Sequence, residues 1–329
     1  MKTQTNNITT IKFNEPFVDR LVDIMDEEFV QTGADLHRVA VVFGGKRPAL
    51  FAKRALAAKY QKSFYSPKFF TIDEFVSFVV KKKFLFKRID ELENAYLLYH
   101  LARRHTPQIL KGRELFSQFL PWTQDILKFI ENLDLENVPQ DKLKNIQSNA
   151  AIGYDVPASI NDLLESIGTL REVYHQELER QKCFTRGIQY LKAAQVIDDI
   201  KLIEFDTILF ANLFYLNASE KKLVKSLYDR GQARLIFQGD ERKWPVLKNL
   251  SKDLGSPIQE GERVEKQHFK LHLHKGFDTH SQIGSIREIL KSLSECHCEK
   301  RSDEAILASE IATLPTVARN DTYKKSNSL

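Results

Sequence analysis

The most informative part of this chain reads RVAVVFGGKRPALF and covers residues 38–51. Its VAVVF run is β-branched and apolar without interruption, which is typical of a parallel strand buried on both faces. The two glycines then interrupt the strand, and Pro48 suits the first turn of a helix. The stretch therefore predicts a strand, a glycine turn and a helix that continues to Tyr60, which is the first half of a βαβ unit.

A second strand and helix follow at once. Thr71 and Glu74 have the spacing of a capping box, which predicts a short strand and then a helix from Ile72. Apolar residues also recur at helical spacing from Phe17 to Phe29, ahead of the first predicted strand. The N-terminal part of the chain thus alternates helices with short strands.

The strand pattern returns in the second half of the chain. Residues 206–211 (DTILFA) and 233–237 (ARLIF) are typical of buried strands, with a helix between them that Asn217 or Ser219 caps. Residues 269–274 alternate like a strand with one solvated face, and residues 282–293 are predicted to form a further helix.

Residues 84–190 differ from the parts on either side, because they show helical periodicity and few strand signals. Prolines mark the predicted connections at Pro107, Pro121, Pro139 and Pro157. The predicted fold is α/β: a parallel, doubly wound sheet domain interrupted by a helical insertion and followed by an unstructured tail. The boundaries are 1–83 and 191–293 for the two parts of the sheet domain, 84–190 for the insertion and 294–329 for the tail.

The composition excludes several classes of protein. A chain of 329 residues, 42% of them hydrophobic, is long enough for a real core, and no apolar run approaches the ~20 residues that span a bilayer. The 49 basic and 44 acidic residues leave a formal charge of +5, which by itself does not predict a nucleic-acid partner. Three cysteines cannot build a disulfide framework for this length. We therefore expect a cytoplasmic protein without a membrane partner.

The turn after the first predicted strand is the strongest candidate site. Gly44, Gly45, Lys46 and Arg47 place backbone N–H groups and two cations at the start of a helix, where phosphate groups bind. A P-loop has two glycines with four residues between them, then Lys and a hydroxyl residue, and this turn is too short to be one. Two interpretations stay open: a phosphate-binding turn, or a tight turn that ends a strand and exposes two basic residues.

A basic run near residue 85 is the second candidate. Its cations are interleaved with Phe84 and Phe86, so the run could meet a nucleic-acid backbone and stack a base. They are Lys81, Lys82, Lys83, Lys87 and Arg88. A solvated face above core phenylalanines explains the same pattern.

No catalytic or metal-binding set emerges from the residues. Cys296, His297 and Cys298 are adjacent, and adjacent positions rarely converge on one metal ion. His272 and His274 share a strand face, which two exposed histidines also explain. The acids near Asp240 lack the partner arrangement of a restriction-type nuclease. We therefore assign no catalytic residue and no metal ligand.

Taken in order, several segments resemble the RecB-family exonucleases, and in particular the AddB-like subunit of bacterial helicase–nuclease DNA repair complexes. These segments are VAVVFGGKRPALF (39–51), YSP (65–67) with TIDEF (71–75), FLPW (119–122) with NLD (132–134), FANLFYLN (210–217), and Gln282 ahead of Ile289 and Leu290. The resemblance covers residues 17–293. Asn212 departs from it, because the family commonly carries glycine at that position.

The resemblance implies a RecA-like, superfamily-one helicase-like domain with an inactive P-loop and a degenerate Walker B strand. It adds Thr71 and Gln282 to the candidate phosphate- or DNA-binding residues. It also implies two partners, DNA that is single-stranded or at a duplex end, and an AddA-like helicase–nuclease subunit. Magnesium, and in some members an iron–sulfur cluster, belong to a nuclease region of the family that nothing here matches, so we expect no cofactor in this chain.

The C-terminal residues suggest why that region has no match. CHCEKRSDEAI (296–306) and ARND (318–321) look like the translation of a dispersed bacterial intergenic repeat, whose insertion would end the reading frame early. The hypothesis is a truncated AddB-like scaffold for double-strand-break repair and recombination, without a catalytic centre. Two other functions stay open: a nucleotide-binding enzyme that uses the Gly44–Gly45–Lys46 turn, and a protein-interaction module that docks a partner through residues 84–190.

Overall fold

The computed structural model describes residues 7–144, 158–259 and 273–298. The chain divides into two compact units, residues 1–264 and 265–329. The first unit is built on five strands, all parallel: β1 Ile8–Ile11, β2 Val39–Phe43, β3 Lys68–Thr71, β4 Thr207–Ala211 and β5 Ala233–Gln238. Their order across the sheet is β1-β5-β4-β2-β3. The predicted α/β class with a parallel sheet is therefore confirmed.

Helices accompany this sheet throughout the described part of the first unit. Their bounds are α1 Phe17–Met25, α2 Lys46–Tyr60, α3 Ile72–Lys81, α4 Glu91–His105, α5 Phe116–Leu135, α6 Gln140–Lys144, α7 Ala158–Arg180, α8 Arg186–Val196, α9 Ala218–Asp229 and α10 Pro245–Leu254. A π-helical turn, Asp26–Val30, extends α1, and 3₁₀ turns lie at Leu36–Arg38 and Pro107–Leu110. The predicted caps of α3 and α9 are confirmed, the first at Thr71 and the second at Asn217.

The central strands separate two apolar cores, one on each face of the sheet. On β2, Val39, Val41 and Phe43 join the core beneath α1 and α2, whereas Ala40 and Val42 join the opposite core. All five residues are buried. The strand therefore buries both faces, which is why its sequence is an apolar run rather than an alternation.

The helical insertion shares its core with the sheet. Leu98 of α4, Phe119 of α5 and Tyr174 of α7 belong to the same cluster of buried residues as Val42 and Phe210 of the sheet. Residues 1–264 accordingly form one unit, and α8 runs across the predicted boundary at residue 190.

Two local features differ from the sequence-based expectation. Strand β1 was not expected, since it has only four residues, two of them threonines, and lies at the edge of the sheet. Pro121 lies inside α5 rather than in a connection. It is the sixth residue of that helix, so it removes one of the first backbone hydrogen bonds and not one from the middle. Buried residues on both sides of it, Phe119 and Ile126, keep the helix on the core.

The second unit is described at residues 273–298. Its helix α11, Thr279–Cys298, contains the predicted helix at 282–293 and continues into the first residues of the predicted tail. No glycine or proline occurs at residues 294–298 to end the helix earlier. Residues 269–272 of the predicted strand and residues 299–329 of the predicted tail lie outside the described residues. In the described ranges, no helix combines the length and the apolar character needed to cross a membrane.

Candidate functional site

Strands β2 and β4 lie side by side in the sheet, with Phe43 opposite Ala211 at their carboxyl ends. From β2 the chain crosses to β3 on one side, and from β4 it crosses to β5 on the other. Doubly wound sheets bind ligands at such a switch point, in the crevice outside the carboxyl ends of the strands. The candidate site is therefore centred on the loops after β2 and β4.

The loop after β2 is the predicted glycine turn. Gly45 precedes the first turn of α2, and no side chain caps this helix. Gly44, Lys46 and Arg47 are exposed, and a Cβ on Gly44 would lie 3.7 Å from the side chain of Leu213 in the neighbouring loop. The first turn of α2 holds two cations and no acid. Both charges oppose the helix dipole, and a bound anion would relieve that repulsion.

The loop after β4 begins at Asn212, whose backbone is left-handed with φ 53°. Asparagine adopts this conformation more readily than most residues with a side chain. Its Oδ1 accepts a 2.8 Å hydrogen bond from the N–H of Gln238, and its own N–H donates to the carbonyl of Ile236 over 2.8 Å. Asn212 therefore makes a left-handed turn after β4, and it also joins the ends of β4 and β5.

Thr71 lies at the same edge of the sheet, where β3 ends and α3 begins. Its hydroxyl oxygen accepts a 3.2 Å hydrogen bond from the N–H of Glu74, and the Glu74 carboxylate accepts a 2.9 Å bond from the N–H of Thr71. These two bonds do not use the hydroxyl proton of Thr71. The residue is thus a helix cap that still has a donor for a ligand.

A cavity of about 560 Å³ opens at this edge. The loop after β2, the start of α3 and the helices α4, α5 and α8 all contribute to its lining. The predicted site residues that line it are Gly44, Gly45, Lys46, Thr71 and Arg88. The structure therefore gathers residues from both candidate segments around one cavity.

One wall of the cavity is a network around Arg186, the first residue of α8. Arg186 Nε donates to Asp73 Oδ1 over 2.7 Å, and its Nη1 donates to Glu131 Oε1 over 3.0 Å. Its guanidinium also lies 4.8 Å from the centre of the Tyr190 ring. The Tyr190 hydroxyl donates to the same Asp73 oxygen over 2.6 Å. Sequence reasoning missed this network, because its residues belong to three helices that are far apart in the chain.

The network decides the charge state of the cavity. Burial raises the pKa of Asp73, but the hydrogen bonds from Tyr190 and Arg186, together with the charges of Arg186 and Arg88, bring this pKa below its usual value. Asp73 is therefore ionised at neutral pH, and it shares Arg186 with Glu131, so the network has two carboxylates for one guanidinium. Lys46 and Arg88, in contrast, have no ion-pair partner among the residues that the structure describes.

The cavity also contains two carboxylates outside the network. Glu74 belongs to the capping box of α3, and Glu91 lies in the first turn of α4. Both lie at helix N-termini, where the helix dipole offsets part of their negative charge. The lining is thus of mixed charge, with its unpaired cations at Lys46 and Arg88.

Aromatic side chains occupy the same sheet edge after β1, β4 and β5. The ring centre of Trp244 lies 5.1 Å from that of Phe13 and 5.5 Å from that of Phe214. Phe13 also packs on Gly239, where a Cβ would meet its ring at 3.4 Å. No motif in the sequence connects these residues, since they lie in three separate loops.

The five cations of the basic run near residue 85 lie in different surroundings. Lys82 is paired with Glu204, and Lys83 Nζ lies 3.1 Å from an Asp199 oxygen. Lys81 and Lys87 are exposed, and of the five predicted cations Arg88 is the one placed in the described lining of the cavity.

The phenylalanines of this run pack inwards. Phe84 and Phe86 lie 5.9 and 4.8 Å from Phe184, ring centre to ring centre, and both pack against the buried core. These contacts favour the interpretation of the run as a solvated face above core phenylalanines.

The remaining predicted residues belong to the second unit or lie outside the described residues. Gln282 is part of α11 in the second unit, and His272 lies outside the described residues. Among the described residues, no three His, Cys, Asp or Glu side chains are grouped so that they could hold a metal ion.

Comparison with known proteins does not identify a family for this chain. No protein-family model matches the chain, and no curated protein matches it either.

Proposed function

We propose that this chain is a helicase-like, RecA-like scaffold of the AddB-like type, which holds DNA at the carboxyl edge of its sheet without acting chemically on it. The proposal places the protein in the cytoplasm, in DNA repair and recombination, with an AddA-like subunit as its partner. No catalytic residue is assigned.

One observation carries the proposal: the cavity beside the loop after β2 contains the uncapped start of α2 and two cations without an ion-pair partner among the described residues, Lys46 and Arg88. Backbone N–H groups at a helix start and nearby cations are the groups that bind phosphate. A single DNA strand crossing this edge would place its backbone against them.

A nucleotide-hydrolysing enzyme is less well supported at the same edge. The residues that follow β4 read Asn212, Leu213 and Phe214, whereas nucleotide hydrolases place a carboxylate near this position to hold magnesium. The ends of β1 and β5 carry the packed rings of Phe13 and Trp244. A strand of DNA needs neither the metal nor the hydrolytic water.

The test is the binding of a fluorescein-labelled single-stranded oligonucleotide of about 20 nucleotides, followed by anisotropy. Lys46→Ala/Arg88→Ala should weaken binding by roughly tenfold, since two phosphate contacts are lost. Lys62→Ala/Lys201→Ala is the matched control, because these two lysines are also exposed but lie outside the described cavity lining. Equal weakening by both double variants would contradict the proposed site.

Titration with labelled ATP separates the two functions. The scaffold should show no saturable ATP binding at concentrations at which DNA binds. Saturable binding of ATP that Lys46→Ala abolishes would favour the nucleotide-binding enzyme instead.

A further inference from the structure

A groove on the helical insertion, away from the cavity above, combines exposed cations with apolar side chains. It lies between α4 and α7 and has a volume of about 770 Å³. Its lining includes Leu97, His100, Leu101, Arg103 and Arg104 of α4 and Arg180 of α7. We refer to it as the α4–α7 groove.

The groove has an excess of positive charge. Arg180 is satisfied by Glu177, to which it donates two hydrogen bonds of 2.8 and 2.5 Å. Arg103 lies 5.7 Å from the centre of the Tyr99 ring, and Arg104 is exposed. Neither Arg103 nor Arg104 has an ion-pair partner in the described ranges of the chain. The helix dipole favours cations at the C-terminus of α4. This attraction does not use the guanidinium N–H groups of Arg103 and Arg104, which can still donate hydrogen bonds to a ligand.

The groove also exposes apolar surface. Leu97 and Leu101 are one helical turn apart and half-buried, so they form an apolar floor below the arginines. Tyr96 lies beside this surface, since the residue is 51% exposed and its ring centre lies 4.2 Å from that of His100. From Leu97 to Arg104 the groove follows about two turns of helix, or about 10 Å.

We propose that the α4–α7 groove docks an acidic amphipathic helix of a partner protein. The apolar floor fits one face of such a helix, as in other helix-in-groove complexes. Carboxylates of the same helix would pair with Arg103 and Arg104, which is the complementarity that steers association. This inference does not rest on the proposed DNA binding.

A nucleic-acid backbone fits the groove less well. Its phosphates would gain from the two arginines, but they would gain nothing from Leu97 and Leu101.

The experiment uses the full chain and a fluorescein-labelled peptide of about 14 residues, four helical turns, with Leu at every third or fourth position and Glu elsewhere. The peptide should bind saturably, and a scrambled peptide of the same composition should not. Arg103→Glu/Arg104→Glu should weaken binding by about tenfold or more, because like charges then face the peptide. Lys62→Glu/Lys201→Glu is the control and should leave binding unchanged.

Thermal melting shows whether the variants remain folded. If the double variant is unfolded, the single variant Arg104→Gln replaces it in the binding test. Absence of peptide binding, equal binding of the scrambled peptide, or equal loss in the control variant would overturn the proposal. Binding of a single-stranded oligonucleotide that is lost in Arg103→Glu/Arg104→Glu, with no peptide binding, would assign the groove to nucleic acid instead.

Discussion

Gly239 meets two constraints in the loop after β5. Its backbone has φ 136°, which residues with a Cβ rarely adopt, and a Cβ there would lie 3.1 Å from Leu247 Cδ1 and 3.4 Å from the Phe13 ring. We expect Gly239→Ala to lower the free energy of unfolding by about 1–3 kcal/mol. Urea denaturation measures this, with Gly44→Ala as control, because Gly44 does not have a positive φ and a Cβ there would make only an ordinary 3.7 Å contact with Leu213. Equal effects of the two changes would contradict this account of Gly239.

Asn212 makes a left-handed turn with a side chain that also accepts a hydrogen bond. Asn212→Ala should lose about 1–2 kcal/mol of stability, since alanine tolerates this backbone poorly and leaves the Gln238 N–H without its acceptor. Asn212→Gly should lose less, because glycine adopts the turn freely. The two variants are compared by the midpoint of urea denaturation. Both variants lose the hydrogen bond, so a glycine variant that is the less stable of the two would contradict the left-handed backbone as the cause of the difference.

Among the helices, one polar connection runs from α3 to α8 through Asp73. Its pKa lies below the ordinary value of about 4 because Tyr190 and Arg186 donate hydrogen bonds to it, which outweighs burial. The resulting stability is fully present above pH 4 and is lost as the pH falls through the lowered pKa. Asp73→Asn should therefore cost about 1 kcal/mol at pH 7, a low value because the Asp73 side chain is 49% exposed.

Denaturation at a series of pH values measures this effect, and the difference between Asp73→Asn and the original protein should shrink below pH 4. Asp199→Asn is the control, since its pair with Lys83 is more exposed, with 68% of the Asp199 side chain accessible. A difference that stays constant from pH 7 to pH 3 would mean that ionisation of Asp73 does not matter.

The helices also show which features can be predicted from the sequence and which cannot. The caps at Thr71 and Asn217 depend on residues three apart, so their spacing is visible in the chain. The cavity network instead joins Asp73, Glu131 and Arg186, which only the packing of α3, α5 and α8 brings together. The sheet class was predictable from the apolar runs, whereas the gathering of Lys46 and Arg88 around one cavity was not.

At the scale of the whole molecule, the insertion and the sheet depend on one core. Leu98, Phe119 and Tyr174 from the insertion are fully or almost fully buried against residues of the sheet. Deleting residues 91–180 should therefore abolish cooperative unfolding of the first unit, because one face of the sheet would lose its cover. Circular dichroism during urea denaturation measures this. A deletion variant with a sharp transition would show that the insertion is an independent module.

The central claim is that DNA binds through phosphate contacts at the cavity beside the loop after β2, and the dependence of single-strand binding on salt concentration tests it most directly. Each contact to a single strand contributes about −0.7 to the slope of log affinity against log salt. Lys46→Ala/Arg88→Ala should therefore flatten the slope by about 1.4, two contacts at about 0.7 each, whereas Lys62→Ala/Lys201→Ala should leave it unchanged. A slope that is the same in both double variants and in the original protein would contradict the claim.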